Sequence, residues 1–306
     1  MTNAIETFDL TRRFGRTEAV KDLQLRVPAG SMFAILGPNG AGKTTTLKLL
    51  MNLVRASRGR ATVLGVDTQR LGPKEFQRIG YVSENQRLPE WMTPGQLFDF
   101  CRPFYPTWDD GLRQKLESDL SLSTRARLRT LSRGTRMKAA LLSSLAYRPD
   151  LVVLDEPFTG LDPVIRDELI RGLLGVSGDR PLTVLISSHD IDEVERLADW
   201  IGFMRGGRIE FAEPVSVLLS RFRLVEVVSP GDTPASMPRD PDWLSQGTAG
   251  RTLRFVDTSH NESDSPSRIA AAFPSCQIRT TAMTLRDIFI AIARDPSRAS
   301  VDAEAV

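Results

Sequence analysis

Cysteine and histidine are scarce in this sequence, and their scarcity excludes several kinds of site. Only two residues of each type occur among 306. Cys101 and Cys276 are far apart, and neither belongs to a Cys-x-x-Cys or Cys/His cluster, so the sequence predicts no disulfide framework and no zinc site. A reducing compartment fits this cysteine usage best.

Long apolar runs and an excess of one charge are also lacking. No segment approaches the roughly 18 apolar residues of a membrane-spanning helix, and residues 1–6 show no basic stretch leading into an apolar one, as a secretory leader would. The 40 Lys and Arg residues nearly balance the 38 Asp and Glu residues, so no general attraction to nucleic acid or anionic lipid is expected. We expect a cytoplasmic chain, soluble by itself, whose membrane role would come through a partner.

Hydrophobic patterning predicts an α/β fold, in a chain long enough for about two domains. Residues 5–10 and 23–27 tend to alternate between apolar and polar, as in antiparallel strands covered on one side, and they predict a small β layer before the core. Continuous apolar runs are typical of parallel strands with helices on both faces. Such runs lie at residues 32–36, 151–154, 182–186 and 201–204.

The predicted domains follow from changes of pattern along the chain. Residues 1–220 form the core domain, with a helical subdomain inserted at about 85–148, where prolines recur between helical stretches. Residues 221–295 form a small α+β domain, whose last helix begins at Thr284 in a segment like a capping box, with Asp287 in place of Glu. Residues 296–306 are small and polar and predict a flexible tail.

The segment after the first continuous apolar run carries a phosphate-binding motif. Residues 37–44 match G-x-x-x-x-G-K-[ST] between a predicted strand and a predicted helix. In such a loop, backbone N–H groups and the helix N-terminus point at the phosphates. Lys43 is expected to reach the β and γ phosphates and Thr44 to hold Mg²⁺. The predicted phosphate-binding residues are Gly37, Pro38, Asn39, Gly40, Ala41, Gly42, Lys43, Thr44 and Thr45.

Two further predicted strands end in polar residues at the same edge of the sheet, where ligands bind in open α/β folds. Asp155 and Glu156 end the second continuous run; we expect Asp155 to hold the magnesium shell and Glu156 to orient or deprotonate an attacking water. His189 follows the third run, where its position favours a contact with the γ-phosphate or the water. The alternatives are a solvated loop carboxylate and a structural histidine. His260, in a polar loop, is assigned no role.

Together with two later segments, these motifs resemble, in the same order, those of the ATP-binding subunit of an ABC transporter. The later segments are Leu-Ser-Arg-Gly-Thr at 131–135 and Gly-Leu-Asp-Pro at 160–163, and the resemblance covers roughly the first 220 residues. Residues 284–290 resemble the accessory extension of ATPases that serve ABC-2 exporters. The resemblance implies a P-loop NTPase fold and a Mg²⁺-dependent ATPase that drives export through a permease on a separate chain, at the inner face of the cell membrane.

The resemblance also implies how two such subunits act together, as a homodimer or heterodimer. They would close head to tail around two ATP molecules and reopen after hydrolysis. Ser132 and Gly134 would contact the γ-phosphate bound to the opposite subunit, and Asp162 would couple the two sites. Spacing alone also allows Asp162 to serve as a helix N-cap before Pro163.

Four positions depart from the common form of the family. Glu84 stands where Gln is common and would ligate Mg²⁺, since a carboxylate can still hold the ion. Phe14 stands where Tyr is common and would stack on adenine, unless it packs on the β layer. In the signature segment, Arg133 and Thr135 replace Gly and Gln.

Two local clusters each have a structural and a functional interpretation. Aromatic residues crowd residues 91–108 and indicate either local core or a groove for a short helix of the permease. They are Trp91, Phe98, Phe100, Phe104, Tyr105 and Trp108. A basic run indicates either a solvated helix face or positive charge beside the ATP of the second subunit. It consists of Arg125, Arg127, Arg129, Arg133, Arg136 and Lys138.

Two other functions remain compatible with the motifs. One is a soluble ABC-type ATPase that acts on nucleic acid or ribosomes; such proteins usually carry fused cassettes, a coiled-coil insertion or zinc cysteines, which this sequence lacks, so no nucleic acid partner is expected. The other is a weakly hydrolysing, nucleotide-binding regulatory subunit, which the altered signature segment suggests.

Overall fold

The computed structural model describes residues 2–176 and 181–294, so the tail predicted at 296–306 lies outside the described residues. The strands are β1 (Asn3–Phe14), β2 (Thr17–Leu23), β3 (Arg26–Pro28), β4 (Met32–Leu36), β5 (Arg58–Val63), β6 (Val66–Asp67), β7 (Ile79–Ser83), β8 (Leu151–Asp155), β9 (Thr183–Ser188), β10 (Trp200–Arg205), β11 (Arg208–Pro214), β12 (Arg223–Val228), β13 (Trp243–Ala249), β14 (Thr252–Asp257) and β15 (Gln277–Ala282). The helices are α1 (Lys43–Leu50), α2 (Pro73–Phe76), α3 (Pro94–Cys101), α4 (Asp110–Asp119), α5 (Arg133–Leu145), α6 (Pro163–Val176), α7 (Ile191–Val194), α8 (Val215–Arg221), α9 (Ser265–Ala272) and α10 (Leu285–Arg294).

The chain divides between Ala212 and Glu213 into two compact units. Helix α8 therefore groups with the second unit, where Arg221 forms two hydrogen bonds to the Glu213 carboxylate, at 2.8 and 2.6 Å. The predicted domain assignments stay predictions.

The central sheet of the first unit confirms the predicted α/β class. Its strand order is β11-β10-β4-β9-β8-β7, and the pairs from β10 to β7 are parallel. Every residue of β4 and β8 is buried, because helices and a second sheet cover both faces. The sequence analysis did not predict β7 as a strand, since Gly80 and Ser83 interrupt its apolar run. Gly80 is required there: a Cβ would lie 2.7 Å from the Ser144 carbonyl oxygen in α5.

The predicted antiparallel layer also forms. Strands β2, β1, β5 and β6 lie side by side, and β3 pairs with β1. Their apolar side chains share one core with the central sheet and α1; Ile5, Phe33 and Leu47 are completely buried in it. This packing fixes the start of α1, and with it the segment that carries the phosphate-binding motif. Helices α3, α4 and α5 lie in the segment predicted to be helical and occupy about half of it.

The second unit is a four-stranded antiparallel sheet with helices. The order is β13-β14-β12-β15, and the core contains Val225, Trp243, Phe255 and Phe273. Strands β13 and β15, which lie at the two edges of this sheet, were not predicted. In β15, five of the six residues are exposed, so the strand has no apolar face that the sequence could reveal. At the start of α10, the Asp287 N–H donates to Thr284 Oγ1 at 3.1 Å, and the Thr284 N–H donates to Asp287 Oδ2 at 3.4 Å, as the capping-box pattern predicts.

A buried ionic network crosses this second core. Asp257 is completely buried and accepts a hydrogen bond from Arg268 Nη2 at 2.7 Å. His260 Nδ1 lies 3.4 Å from the other Asp257 oxygen. The Arg268 guanidinium also lies 5.5 Å from the centre of the Trp243 ring. A carboxylate at this depth depends on its cation, because an uncompensated buried charge is costly.

We expect Arg268→Ala to lower the free energy of unfolding of the second unit by about 1–3 kcal/mol, since the buried Asp257 would lose the cation that donates a hydrogen bond to it. The matched control is Arg254→Ala, which breaks an exposed ion pair with Glu226 of 2.8 Å and should cost less than about 1 kcal/mol. Denaturant unfolding of the full chain, followed by Trp fluorescence, measures both. Equal small losses in the two variants would contradict the role given to Arg268.

Candidate functional site

The loop between β4 and α1 can exist only with glycine at two of its positions. A Cβ on Gly37 would lie 2.1 Å from the Met204 carbonyl oxygen, and one on Gly42 would lie 2.3 Å from the Ala19 carbonyl oxygen. Gly42 also has a φ of 106°, a left-handed conformation that strains other residues. The loop is thus pressed against β2 and β10, and α1 begins immediately after it.

Lys43, the first residue of α1, carries a buried ammonium group. Its Nζ donates to the carbonyl oxygens of Gly37 and Pro38, at 2.8 and 3.2 Å, and lies 3.2 Å from Glu156 Oε1. The side chain is only 5% exposed. A buried cation needs anionic or carbonyl partners, and here the loop and Glu156 supply them. The same group can bind a phosphate that enters the loop.

The end of β8 brings Asp155 next to α1. Thr44 Oγ1 donates to Asp155 Oδ1 at 2.9 Å, and Ser187 Oγ donates to the same oxygen at 2.7 Å. Sequence reasoning missed Ser187, which lies at the end of the neighbouring strand β9. Its position two residues before His189 was the available signal. A hydroxyl and a carboxylate oxygen thus stand side by side.

Glu156 lies directly beyond β8 in a left-handed conformation, with a φ of 49°. The Glu156 backbone N–H donates a hydrogen bond to the Ser187 hydroxyl oxygen at 3.0 Å. His189 Nδ1 lies 2.8 Å from Oε2, and Thr159 Oγ1 donates to that oxygen at 3.0 Å. Thr159 was also missed, although it follows Glu156 by three residues.

The environment of Glu156 keeps its carboxyl group ionised. Burial acts to raise the pKa, but the hydrogen bond with His189 and the charge and hydrogen bond of Lys43 outweigh it, so the pKa lies below its ordinary value. A carboxylate, rather than a carboxylic acid, therefore faces the loop at neutral pH.

One open cleft of about 630 Å³ is lined by Lys43, Thr44, Glu156, Thr159 and His189, together with Asn39, Thr45 and Glu84. Asp155 does not line the cleft itself but contacts the Thr44 hydroxyl. The donors fit Mg²⁺: it prefers oxygen, keeps several waters, and is usually held by one or two carboxylates plus substrate phosphates. Within residues 2–176 and 181–294, no three or more His, Cys, Asp and Glu side chains form a metal-binding group. Thr44 is hydrogen-bonded to Asp155 and lines the same cleft as Glu84, so oxygen atoms of the kind that Mg²⁺ prefers lie in and beside the cleft.

The remaining predicted site residues do not line this cleft. Ser132 is the exposed N-cap of α5, where its Oγ accepts a hydrogen bond from the Thr135 N–H. Asp162 is exposed, and its Oδ1 accepts hydrogen bonds from the N–H groups of Val164 and Ile165, both at 3.0 Å, as an N-cap does. Gly134 is buried, where a Cβ would lie 2.9 Å from Ile165 Cγ2.

Phe14 is 47% exposed at the end of β1. The Arg12 guanidinium lies 4.3 Å from the centre of its ring, so the ring is not packed into the β layer as the structural alternative supposed. A π-face exposed to this degree can take part in stacking.

A buried carboxylate lies just beyond His189. Glu193 in α7 accepts a hydrogen bond from Ser188 Oγ at 2.6 Å, and Arg166 Nη2 lies 3.7 Å from its other oxygen. Burial is the largest influence on this group and raises its pKa despite these two partners. The ionised form is therefore held in the fold at a cost.

Comparison with known sequences shows which proteins this chain is similar to. The profile of the ABC transporter family matches residues 20–159. The chain is 32% identical to the ABC transporter ATP-binding protein YtrB of Bacillus subtilis over 200 residues. This match covers 65% of this chain and 68% of YtrB. It is 28% identical over 313 residues to the uncharacterized ABC transporter ATP-binding protein sll0415 of Synechocystis, covering 96% of this chain and 85% of that one.

An import protein is also among the relatives. The sulfate/thiosulfate import ATP-binding protein CysA of Salmonella typhi is 33% identical over 219 residues, covering 69% of this chain and 60% of that protein. Among solved structures, a dimeric ATP-binding cassette in a post-hydrolysis state, bound to ADP and Pi, is similar with a TM-score of 0.62 and 20% identity, covering 69% of this chain and 98% of that one. The structural similarity confirms the predicted fold of the core.

We expect Glu193→Gln to raise the midpoint temperature of unfolding. A carboxyl group whose pKa is raised on folding lowers the stability of the fold at pH values above its folded pKa. It has no such effect below its unfolded pKa, which is ordinarily 4.5. The gain should therefore be larger at about pH 8 than at about pH 5. Thermal unfolding across this pH range measures it, with Glu195→Gln, an exposed neighbour, as control. A gain independent of pH would contradict the assignment.

Proposed function

Because this chain belongs to the family of ABC transporter ATP-binding proteins, we propose that it powers export through a transmembrane permease on a separate polypeptide. The chain itself is an ATPase that binds ATP and Mg²⁺, as predicted from its motifs. Members of the family work with permeases and as dimers. The export direction, the permease partner and the roles of individual residues are the proposal.

The observation that carries the residue roles is that Lys43, Glu156 and His189 meet in one cleft, with Asp155 hydrogen-bonded to Thr44 in its wall. Lys43 would exchange its contacts with the loop carbonyls and Glu156 for the β and γ phosphates of ATP. The loop N–H groups and the N-terminus of α1 would bind the same phosphates. Mg²⁺ held by Thr44, Asp155 and Glu84 would neutralise phosphate charge.

Glu156 is proposed as the general base. Its carboxylate is ionised and would accept the proton of the water that attacks the γ-phosphate. His189 and Thr159 fix the orientation of the carboxylate through Oε2. When a phosphate takes up Lys43, the other oxygen, Oε1, loses its partner and can receive the water proton. His189 would also contact the γ-phosphate.

The second subunit would bind on the exposed signature and turn residues. Ser132 and Asp162 lie at the surface of this chain, so a second ATP-binding subunit can reach them. Phe14 has an exposed ring for adenine. These positions support head-to-tail closure around two ATP molecules, in which Ser132 and the Gly134 backbone contact the opposite γ-phosphate and Asp162 couples the sites.

The aromatic residues at 91–108 divide between core and surface. Phe98 is buried, and Tyr105 stacks on Tyr147 with ring centres 3.8 Å apart. Trp91, Phe100 and Phe104 are each more than half exposed, at 66%, 54% and 58%. The exposed three support a contact with a permease helix.

The basic run divides in the same way. Lys138 is buried and pairs with Glu168, so it is not part of a solvated face. Arg125, Arg127 and Arg129 are exposed and precede α5 rather than lying on it. They could supply positive charge to a second subunit.

Membrane attachment rests on the partner. Among the described residues, none of the helices has the length and apolar character to cross a bilayer. The proposed location is the inner face of the cell membrane, through the permease. The resemblance of residues 284–290 to exporter ATPases supports export.

We expect Glu156→Gln to lower ATP turnover by about 100-fold or more, since general-base catalysis contributes on that scale, while ATP still binds. Phosphate release and binding of a fluorescent ATP analogue measure the two effects separately. Equal and negligible turnover in the variant and the parent would favour the weakly hydrolysing regulatory subunit instead.

Two further variants, one in the loop and one matched control, test whether the loop binds the nucleotide. Lys43→Ala should weaken ATP binding itself, because the phosphates lose their buried cation, whereas Lys48→Ala changes an exposed lysine of the same helix and should leave affinity and turnover near those of the parent. If Lys43→Ala leaves both quantities unchanged, the loop is not the nucleotide site.

We also expect the chain, purified from native membranes in mild detergent, to carry a hydrophobic membrane polypeptide with it. Replacing Trp91, Phe100 and Phe104 together by Ser should reduce that association and leave basal turnover intact, because these side chains are exposed and lie outside the cleft. Mass spectrometry of the purified complex identifies the partner. Co-purification with ribosomes or DNA would instead support the nucleic-acid alternative.

A further inference from the structure

Two of the positions at which the sequence departs from the common form of the family are in contact. Glu84, after β7, stands where Gln is common, and Arg133, in the signature segment, stands where Gly is common. Arg133 Nη2 donates to Glu84 Oε1 at 3.3 Å. A carboxylate at one position and a guanidinium at the other therefore form an ion pair that the common residues could not make.

Glu84 lies between two clefts. It lines the nucleotide cleft together with Lys43 and Glu156. It also lines an adjacent cleft of about 790 Å³, whose wall includes Arg133 and Arg87. One carboxylate can therefore face a divalent cation on one side and a guanidinium on the other.

Arg133 is held in place by its surroundings as well as by Glu84. It is the first residue of α5, after the Ser132 cap. Its Nη1 would lie 3.1 Å from a Cβ on Gly160, in the left-handed turn that follows Glu156. Gly134 packs closely on Ile165 of α6, which leaves the first turn of α5 little freedom. The guanidinium thus sits beside both segments that follow β7 and β8.

We propose that Arg133 is a positioning residue that competes with Mg²⁺ for the Glu84 carboxylate. The inference rests on the proposed function, in which Glu84 is a ligand of the nucleotide-bound ion. The ion pair holds Glu84 toward α5 while the metal is absent, and occupation of the cleft by the metal releases Arg133. Metal binding is thereby linked to the contacts of the signature helix.

The exposure of the pair makes such an exchange feasible. The two side chains are 45% and 35% exposed, and ion pairs in such positions are weak and screened by salt. A buried pair would be too costly to break in each cycle. The expected effect of Arg133 on metal affinity is about two- to fivefold, which is the range of an exposed pair.

The test measures binding rather than turnover. The dissociation constant of a non-hydrolysable ATP analogue is measured with Mg²⁺ and with excess EDTA. The value in EDTA divided by the value with Mg²⁺ reports how strongly the metal contributes to binding. Arg133→Gln should raise the ratio about two- to fivefold at low salt, because Glu84 is freed for the ion. In the Glu84→Gln background, Arg133→Gln should leave the ratio unchanged.

The controls separate the exchange from other effects. Arg87→Gln removes an equal charge from the same adjacent cleft, where Arg87 has no ion-pair partner among the described residues, and should not change the ratio. A purely structural role of Arg133 would change affinity equally with and without Mg²⁺, which overturns the proposal, as does an equal effect in both backgrounds. A parent chain that binds no analogue would instead refute the proposed function itself.

Discussion

The ion pair between Lys43 and Glu156 is the contact on which the rest of the site depends. It joins the start of α1 to the turn after β8, and His189 adds the end of β9 through the other carboxylate oxygen. Both partners are more than nine-tenths buried. A buried charge without a partner is costly, so each of these groups requires the others, and the three strand ends must lie at one edge of the sheet.

The same contact satisfies two buried charges and also leaves them able to serve the proposed nucleotide site. The loop carbonyls and Glu156 satisfy Lys43, and Lys43 with His189 keeps Glu156 ionised despite its burial. A phosphate can replace Glu156 as the anionic partner of Lys43, since it brings its own negative charge. In the proposed mechanism, this exchange would leave the Glu156 carboxylate free to act as the base, so nucleotide binding would prepare the group that hydrolysis requires.

Two kinds of charged contact in this protein have different uses, and burial separates them. In the second unit Arg268 pairs with the completely buried Asp257, so breaking the pair would leave a buried carboxylate without the cation that donates to it. Arg133 and Glu84 are partly exposed, so their pair is easily exchanged. The first suits permanent structure, and the second suits a contact that changes during a cycle.

The sequence by itself determined the α/β class, the phosphate-binding loop and the strand-end residues, because apolar runs record burial on two faces and the glycine motif records a backbone that leaves no room for Cβ. Strand β7 escaped prediction because Gly80 and Ser83 interrupt its apolar run, and β15 escaped because five of its six residues are exposed. Ser187 and Thr159 were missed too, because their positions near His189 and Glu156 in the chain do not show which carboxylate each hydroxyl contacts. Only the tertiary structure decided which charges meet: Glu84 and Arg133 are distant in the chain, and the packing of α5 on β7 at Gly80 is what brings their segments together.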